Sequence, residues 1–223
     1  MAKTCHIMVL ASGNGSNFQA LIDAVSSGRI PNASIVRLVV NRAKAFAATR
    51  AESHGVPWEY FNLISHGFQA KGEKDPARLR EARDRYDAAL AARILESSPR
   101  PHLIVLAGWM YVFGKHFLQP LDAAGITIIN LHPALPGSYV GADCLERAFD
   151  DFQAGKLEND TTGIMCHHVI EELDQGEAIL WKEIKCRQGE TLEQFKERVH
   201  SHEHELIVDA TAKLAKEISA QPE

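Results

Sequence analysis

Apolar runs alternate with stretches of helical periodicity along this chain, and that alternation restricts its fold more than any other feature. Residues Ile7 to Ala11 are a short apolar run; the polar turn Ser12-Gly13-Asn14-Gly15-Ser16-Asn17 follows, and Phe18 to Val25 then repeats apolar positions at helical spacing. The unit recurs as a strand from Ser34 to Val40, a helix from Lys44 to His54 and a short strand around Trp58 to Phe61. Strands joined through helices in this way run parallel, and the helices cover both faces of the sheet. Leu63 to Pro76 turns polar and reads as an exposed loop, Ala77 to Ser97 as one long helix, and His102 to Ala107 as a fourth strand. A short helix begins near Gly114, and Ile126 to Pro133 is a fifth strand. A helix from about Ala142 to Gln153 leads to Thr161–Val169 and Ala178–Ile184, two strands bridged by an acidic loop, and a helix from Thr191 to about Ile218 follows.

The expected fold is therefore α/β, with about seven strands in a mostly parallel twisted sheet and helices on both faces. Its N-terminal half is Rossmann-like, and the last strands make an antiparallel contribution. No Pro/Gly/Ser-rich linker divides the 223 residues, so a single domain over 1–223 is expected. A formal charge of −5 argues against a nucleic-acid partner, which calls for a basic face. Cys5, Cys144, Cys166 and Cys186 are scattered without a Cys-x-x-Cys pair, as reduced packing thiols would be. With no apolar run long enough for a membrane span and no signal-like stretch behind Met1, a cytoplasmic protein without a membrane partner is expected.

Three strand ends carry candidate chemistry. The first is the turn after Ala11, where glycines let the backbone approach a ligand and the helix start offers N–H groups to an anion; Ser16 or Asn17 is placed to cap that helix. It lacks the Lys-Ser/Thr of a Walker loop, and Phe18 stands where a dinucleotide fingerprint has its third glycine, so a phosphate monoester suits it better. The second is Gly108-Trp109-Met110-Tyr111-Val112-Phe113, an apolar, aromatic turn at the carboxyl end of a parallel strand, able to line a cleft for a flat ligand or simply to pack. The third is Asn130-Leu131-His132-Pro133. Side chains alternate along a strand, so Asn130 and His132 project to one side while Pro133 turns the chain away, leaving an amide and an acid/base over one spot.

The acidic loop holds Glu171, Glu172 and Asp174, which would ordinarily be a solvated turn. If it folds over the sheet edge, one carboxylate can pair with His132 and raise its pKa. His200, His202 and His204 fall two residues apart on a helix, which spreads them around the axis, and no metal site is expected.

These motifs, in this order and together with Gly163 and Leu173-Asp174-Gln175-Gly176, resemble the folate-dependent formyltransferases from about Cys5 to Ala215. The phosphate-type turn resembles the branch that formylates phosphoribosylglycinamide, and Pro133-Ala134-Leu135-Pro136-Gly137 resembles its fungal members. Family members that act on tRNA or hydrolyse the folate usually carry a further domain. The resemblance implies transfer of a formyl group from 10-formyltetrahydrofolate to the primary amine of 5-phosphoribosylglycinamide, a reaction of purine synthesis, with no metal. It implies Asn130, His132 and Asp174 as the catalytic residues, with Asp174 keeping His132 protonated and positioning a water. It implies that Gly13, Asn14, Gly15, Ser16 and Asn17 bind the phosphate, that Gly108 and Met110 contact the glycinamide through the main chain, and that Glu203 binds the ribose hydroxyls. For the folate it implies Arg83 near the glutamyl tail, Met110, Tyr111, Val112 and Phe113 along the cleft beside Asn130, and Ile170, Glu171, Glu172, Leu173 and Asp174 over the pterin. Residues 5–130 would form the phosphate-binding half and 131–218 the half with the folate loop and C-terminal helix, in a monomer or homodimer acting on small molecules. His200 stands where relatives tend to have Gln or Lys near the phosphate.

Overall fold

The computed structural model describes residues 3–220. Seven strands, β1 (Cys5–Ala11), β2 (Ala33–Val40), β3 (Trp58–Tyr60), β4 (Leu103–Leu106), β5 (Thr127–His132), β6 (Thr161–His168) and β7 (Ala178–Lys185), form one sheet in the order β3-β2-β1-β4-β5-β6-β7. The first five pair in parallel, and β6 and β7 add antiparallel at the β5 edge. Six helices accompany them: α1 (Ser16–Ser26), α2 (Phe46–Ser53), α3 (Pro76–Leu95), α4 (Lys115–Ala123), α5 (Cys144–Gln153) and α6 (Leu192–Ala220). This is the mixed sheet expected from the sequence, with helix and strand ends moved by a few residues.

Side-chain alternation explains how the sheet acquires two cores. β1 sends Cys5, Ile7, Val9 and Ala11 to one face, where they pack with Phe18 and Leu21 of α1 and Val199 and Ile207 of α6. Met8 and Leu10 go to the other face, against Tyr86 and Leu90 of α3 and Phe117 of α4. A central strand covered on both faces has no solvent side, so its sequence is a continuous apolar run instead of an alternating one. β5 obeys the same parity: Ile129 and Leu131 enter the first core and Ile128 the second. Asn130 and His132 therefore continue the second row, past the point where α3 and α4 cover it.

Local signals place the element ends. Asp75 caps α3 by accepting from the N–H groups of Ala77 and Arg78, with Pro76 in the first turn, where its missing N–H costs nothing. α2 starts at Phe46, later than the expected Lys44, because the N–H of Ala45 closes a turn onto the carbonyl of Arg42. No helix among the described residues is long and apolar enough to cross a membrane.

Candidate active site

The carboxyl ends of β1, β4 and β5 meet the loop after β6 around a cavity of about 560 Å³. Asn17, Gly108, Asn130, His132, Asp174 and Glu203 all line it, and so do Met110 to Phe113, Ile170 and Leu173. Two hydrogen bonds stitch the first two turns together. The N–H of Ser12 donates to the carbonyl of Gly108 at 3.0 Å, and the N–H of Met110 donates to Ser12 Oγ at 2.9 Å. Ser12 thus occupies the main-chain donor of Met110, leaving that residue's carbonyl for any main-chain contact with a ligand.

At the β5 end, Asn130 and His132 face the cavity from alternate positions on one side of the strand, as the sequence spacing requires. His132 is 4% exposed and Asp174 9%. His132 Nδ1 lies 3.5 Å from Asp174 Oδ2, and the same carboxylate oxygen accepts the N–H of Gly141 at 2.9 Å. That second contact ties the loop after β6 to the loop after β5. Burial would push the Asp174 carboxyl up, but His167, the Gly141 N–H and the charge of His132 together hold it below the usual aspartate range. Asp174 is the loop carboxylate that pairs with His132 and raises its pKa, as expected, but it does not act alone. Burial is the largest influence and lowers its pKa; Asp174 raises it, but not enough to outweigh burial with His167 alongside, so the net shift is downward.

His167 completes this group and was not foreseen from the sequence. It stands directly opposite Asn130 in the antiparallel β5–β6 register. Its Nδ1 lies 2.9 Å from the carbonyl of His168, and its Nε2 lies 3.3 Å from Asn130 Nδ2. His167 Nε2 also lies 3.7 Å from Asp174 Oδ1. The Asn130 amide is thereby held against His167 at the cavity wall. Cys144, likewise unforeseen, has its Sγ 3.9 Å from His132 Nε2 and directed to the carbonyls of Gly141 and Tyr139. Burial pushes that thiol up, so it remains a neutral wall beside the imidazole. Gly176 brings the acidic loop back so close to β6 that a Cβ there would run into the His168 carbonyl.

The phosphate-type turn departs from the expected capping. The N-cap of α1 is Gly15, at φ 76°, with no side-chain cap; neither Ser16 nor Asn17 fills that role. Gly15 also packs where a Cβ would meet Ala47 of α2 at 2.7 Å, so both its backbone angle and its contact call for glycine. Of the turn, Asn17 reaches the cavity wall, whereas Gly13, Asn14, Gly15 and Ser16 lie outside its lining. Glu203 is buried near Asn17 and His200; burial pushes its carboxyl up, partly countered by those two neighbours.

The aromatic segment forms the apolar wall, with Met110 63% and Val112 55% exposed where the cavity opens. Arg83 does not line the cavity: its guanidinium lies 4.3 Å from the Tyr111 ring centroid, behind the wall. Glu171 and Glu172 are exposed and outside the lining, Glu171 accepting from Gln119 at 3.1 Å. His202 contacts Lys182 at 3.0 Å, whereas His200 lines the cavity, so the α6 histidines diverge as the helical spacing requires.

One cavity thus joins a polar end, an amide–imidazole–carboxylate group and a flat apolar wall. Comparison with known proteins agrees: the profile of the family described as formyl transferase matches residues 5–211. The chain belongs to the formyl transferase family. It is 43% identical to the phosphoribosylglycinamide formyltransferase of Dictyostelium discoideum over 209 residues, covering 93% of this chain and 96% of that one. It is 40% identical to the enzyme of the same name from Saccharomyces cerevisiae over 219 residues, covering 95% and 98%. The solved glycinamide ribonucleotide transformylase 1 of Geobacillus kaustophilus superposes with a TM-score of 0.74 at 30% identity, covering 95% of this chain and 99% of that one. The formyltransferase fold and the likeness to fungal relatives expected from the motifs both stand.

Proposed function

We propose that this formyltransferase carries a formyl group from 10-formyltetrahydrofolate to the primary amine of 5-phosphoribosylglycinamide. The observation that carries the reading is that Asn130, His132 and Asp174 line one cavity together with Asn17 of α1 and the apolar wall of residues 110–113, with His132 and Asp174 3.5 Å apart. A cavity of about 560 Å³ lies within the usual range for a small-molecule site. Its apolar wall suits the flat pterin. Its polar end, with Asn17, His200 and Glu203, suits a phosphorylated ribose, and the buried carboxyl of Glu203 can take the sugar hydroxyls.

The chemistry follows from charge and protons. Attack of a neutral amine on the formyl carbon produces an oxyanion and an ammonium on one tetrahedral centre. Asn130, in contact with His167, offers an amide N–H to the oxyanion. Burial keeps His132 below its ordinary pKa, so it enters as neutral imidazole and takes the ammonium proton. The imidazolium so formed is stabilised by Asp174 and then gives the proton to the folate nitrogen as the carbon–nitrogen bond breaks. The amine loses one proton, the folate nitrogen gains it, and the enzyme is unchanged. Among the described residues no three His, Cys, Asp or Glu side chains are arranged so that they could hold a metal ion.

The test is a donor labelled in its formyl carbon. Label in the amide of phosphoribosylglycinamide supports the reading, whereas label in formate alone would replace it with hydrolysis.

A further inference from the structure

We propose that Arg50, a residue of α2 outside the cavity, is a positioning residue that sets the phosphate-holding geometry of the turn and thereby the preference for a phosphorylated acceptor. The inference rests on the functional reading above and names how its phosphate end is built. Arg50 Nε donates to the carbonyl of Asn14 at 3.0 Å, and Nη2 donates to Asn14 Oδ1 at 2.9 Å. Nη1 reaches Gln19 Oε1 on α1 at 3.3 Å, and the guanidinium lies 5.0 Å from the Phe46 ring centroid. A planar fork that binds a main-chain oxygen and a side-chain oxygen of one residue fixes that residue in two directions.

Both directions bear on an anion. In a trans peptide the C=O and the following N–H point oppositely, so holding the Asn14 carbonyl toward Arg50 aims the N–H of Gly15 away from it. Engaging Oδ1 likewise turns the Asn14 amide so that its NH2 is free. Among the described residues, the N–H groups of Asn14, Gly15, Ser16 and Asn17 donate to no other protein group, and they stand at the start of α1, where the helix dipole favours negative charge. The N–H of Ala47 donates to the carbonyl of Gly13 at 3.2 Å, and Gly15 packs on Ala47, so the first turn of α2 is the surface on which the phosphate turn is moulded. Arg50 adds its positive charge one residue layer behind the donors.

The experiment compares wild type, Arg50→Ala and Arg50→Lys with phosphoribosylglycinamide and its dephosphorylated counterpart as acceptors, alongside calorimetric titration with inorganic phosphate. The ratio of kcat/KM for the phosphorylated over the dephosphorylated acceptor is expected to fall about tenfold or more in Arg50→Ala, through KM, while the donor KM moves less than about twofold. Arg50→Lys keeps the charge without the fork and should lie between them; if Arg50→Ala does not fold, a ratio lowered severalfold in the lysine variant supports the assignment in its place. An unchanged ratio in the folded variants overturns it, as does an equal loss with both acceptors, which is what a merely structural role would give. Should wild type formylate neither acceptor, the functional reading fails, and phosphate titration still decides: weaker phosphate binding in Arg50→Ala supports the role of Arg50, and equal or undetectable binding in both proteins refutes it.

Discussion

Asp87 lies on α3 with no exposed surface, one carboxylate oxygen accepting the N–H of Gly114 at 2.8 Å and the other without a hydrogen-bond partner. Burial pushes its pKa from 3.8 up to about 6, against the pull of Gly114 and Arg83. A carboxyl whose folded pKa is raised binds its proton more tightly in the native state. Its contribution to stability is therefore fully present below about pH 3.8 and lost as pH rises through about 6. At roughly 1.4 kcal/mol per pH unit, ionised Asp87 costs the native state on the order of 3 kcal/mol at neutral pH. Asp87→Asn keeps the shape and an acceptor for Gly114 but removes the charge. About 1 kcal/mol should be surrendered because the hydrogen bond is no longer charge-assisted, leaving a net gain of about 1–2 kcal/mol near pH 8. For a chain of this size that raises Tm by about 2–8 °C. Urea and thermal denaturation across about pH 4–8 should show the advantage of the variant shrinking between about pH 6 and 4. A variant less stable than wild type near pH 8, or a difference that does not change with pH, would refute the reasoning.

Asp174→Asn should fold normally and lose about a hundredfold or more in turnover, since His132 loses the carboxylate that stabilises its protonated form; near-normal rates in steady-state assays would remove Asp174 from the mechanism. Because burial depresses the His132 pKa, kcat/KM should hold its plateau at neutral pH and fall on the acid side with an apparent pKa below 6.5; stability tied to His132 likewise persists above that unperturbed value and declines as pH falls through the lowered one. A pH–rate profile with its acid limb above 6.5 would contradict this assignment. Gly176→Ala drives a methyl toward the His168 carbonyl and should shift the acidic loop that carries Asp174, lowering kcat/KM on the order of a hundredfold with a smaller change in Tm; unchanged kinetics would show that the loop absorbs the methyl elsewhere.

Much of this was legible in the sequence where a period or a turn carries directional information. Period two placed Asn130 and His132 on one side of β5, and the glycines after β1 located the turn that opens α1. What escaped depends on long-range register or on loops. His167 sits opposite Asn130 only because β6 pairs antiparallel with β5 in that register, and nothing within residues 161–168 announces it. Three acids in one loop look alike in sequence. The structure turns Asp174 inward, at φ 55°, and leaves Glu171 and Glu172 outside, a choice that no periodicity encodes. The carboxylate that raises the His132 pKa is visible in sequence, whereas the depth of burial that outweighs it emerges only once both loops close over β5. Arg50 escaped for a related reason: its partner is a main-chain turn, and an arginine on a surface helix ordinarily faces water.

The central claim is that this cavity moves a formyl group between two bound molecules. Consumption of 10-formyltetrahydrofolate by the purified protein, followed with and without phosphoribosylglycinamide, tests it most directly. Saturable, acceptor-dependent consumption that matches the formylated acceptor produced is the result predicted. Consumption at the same rate in water alone, or binding of both molecules without turnover, would contradict it.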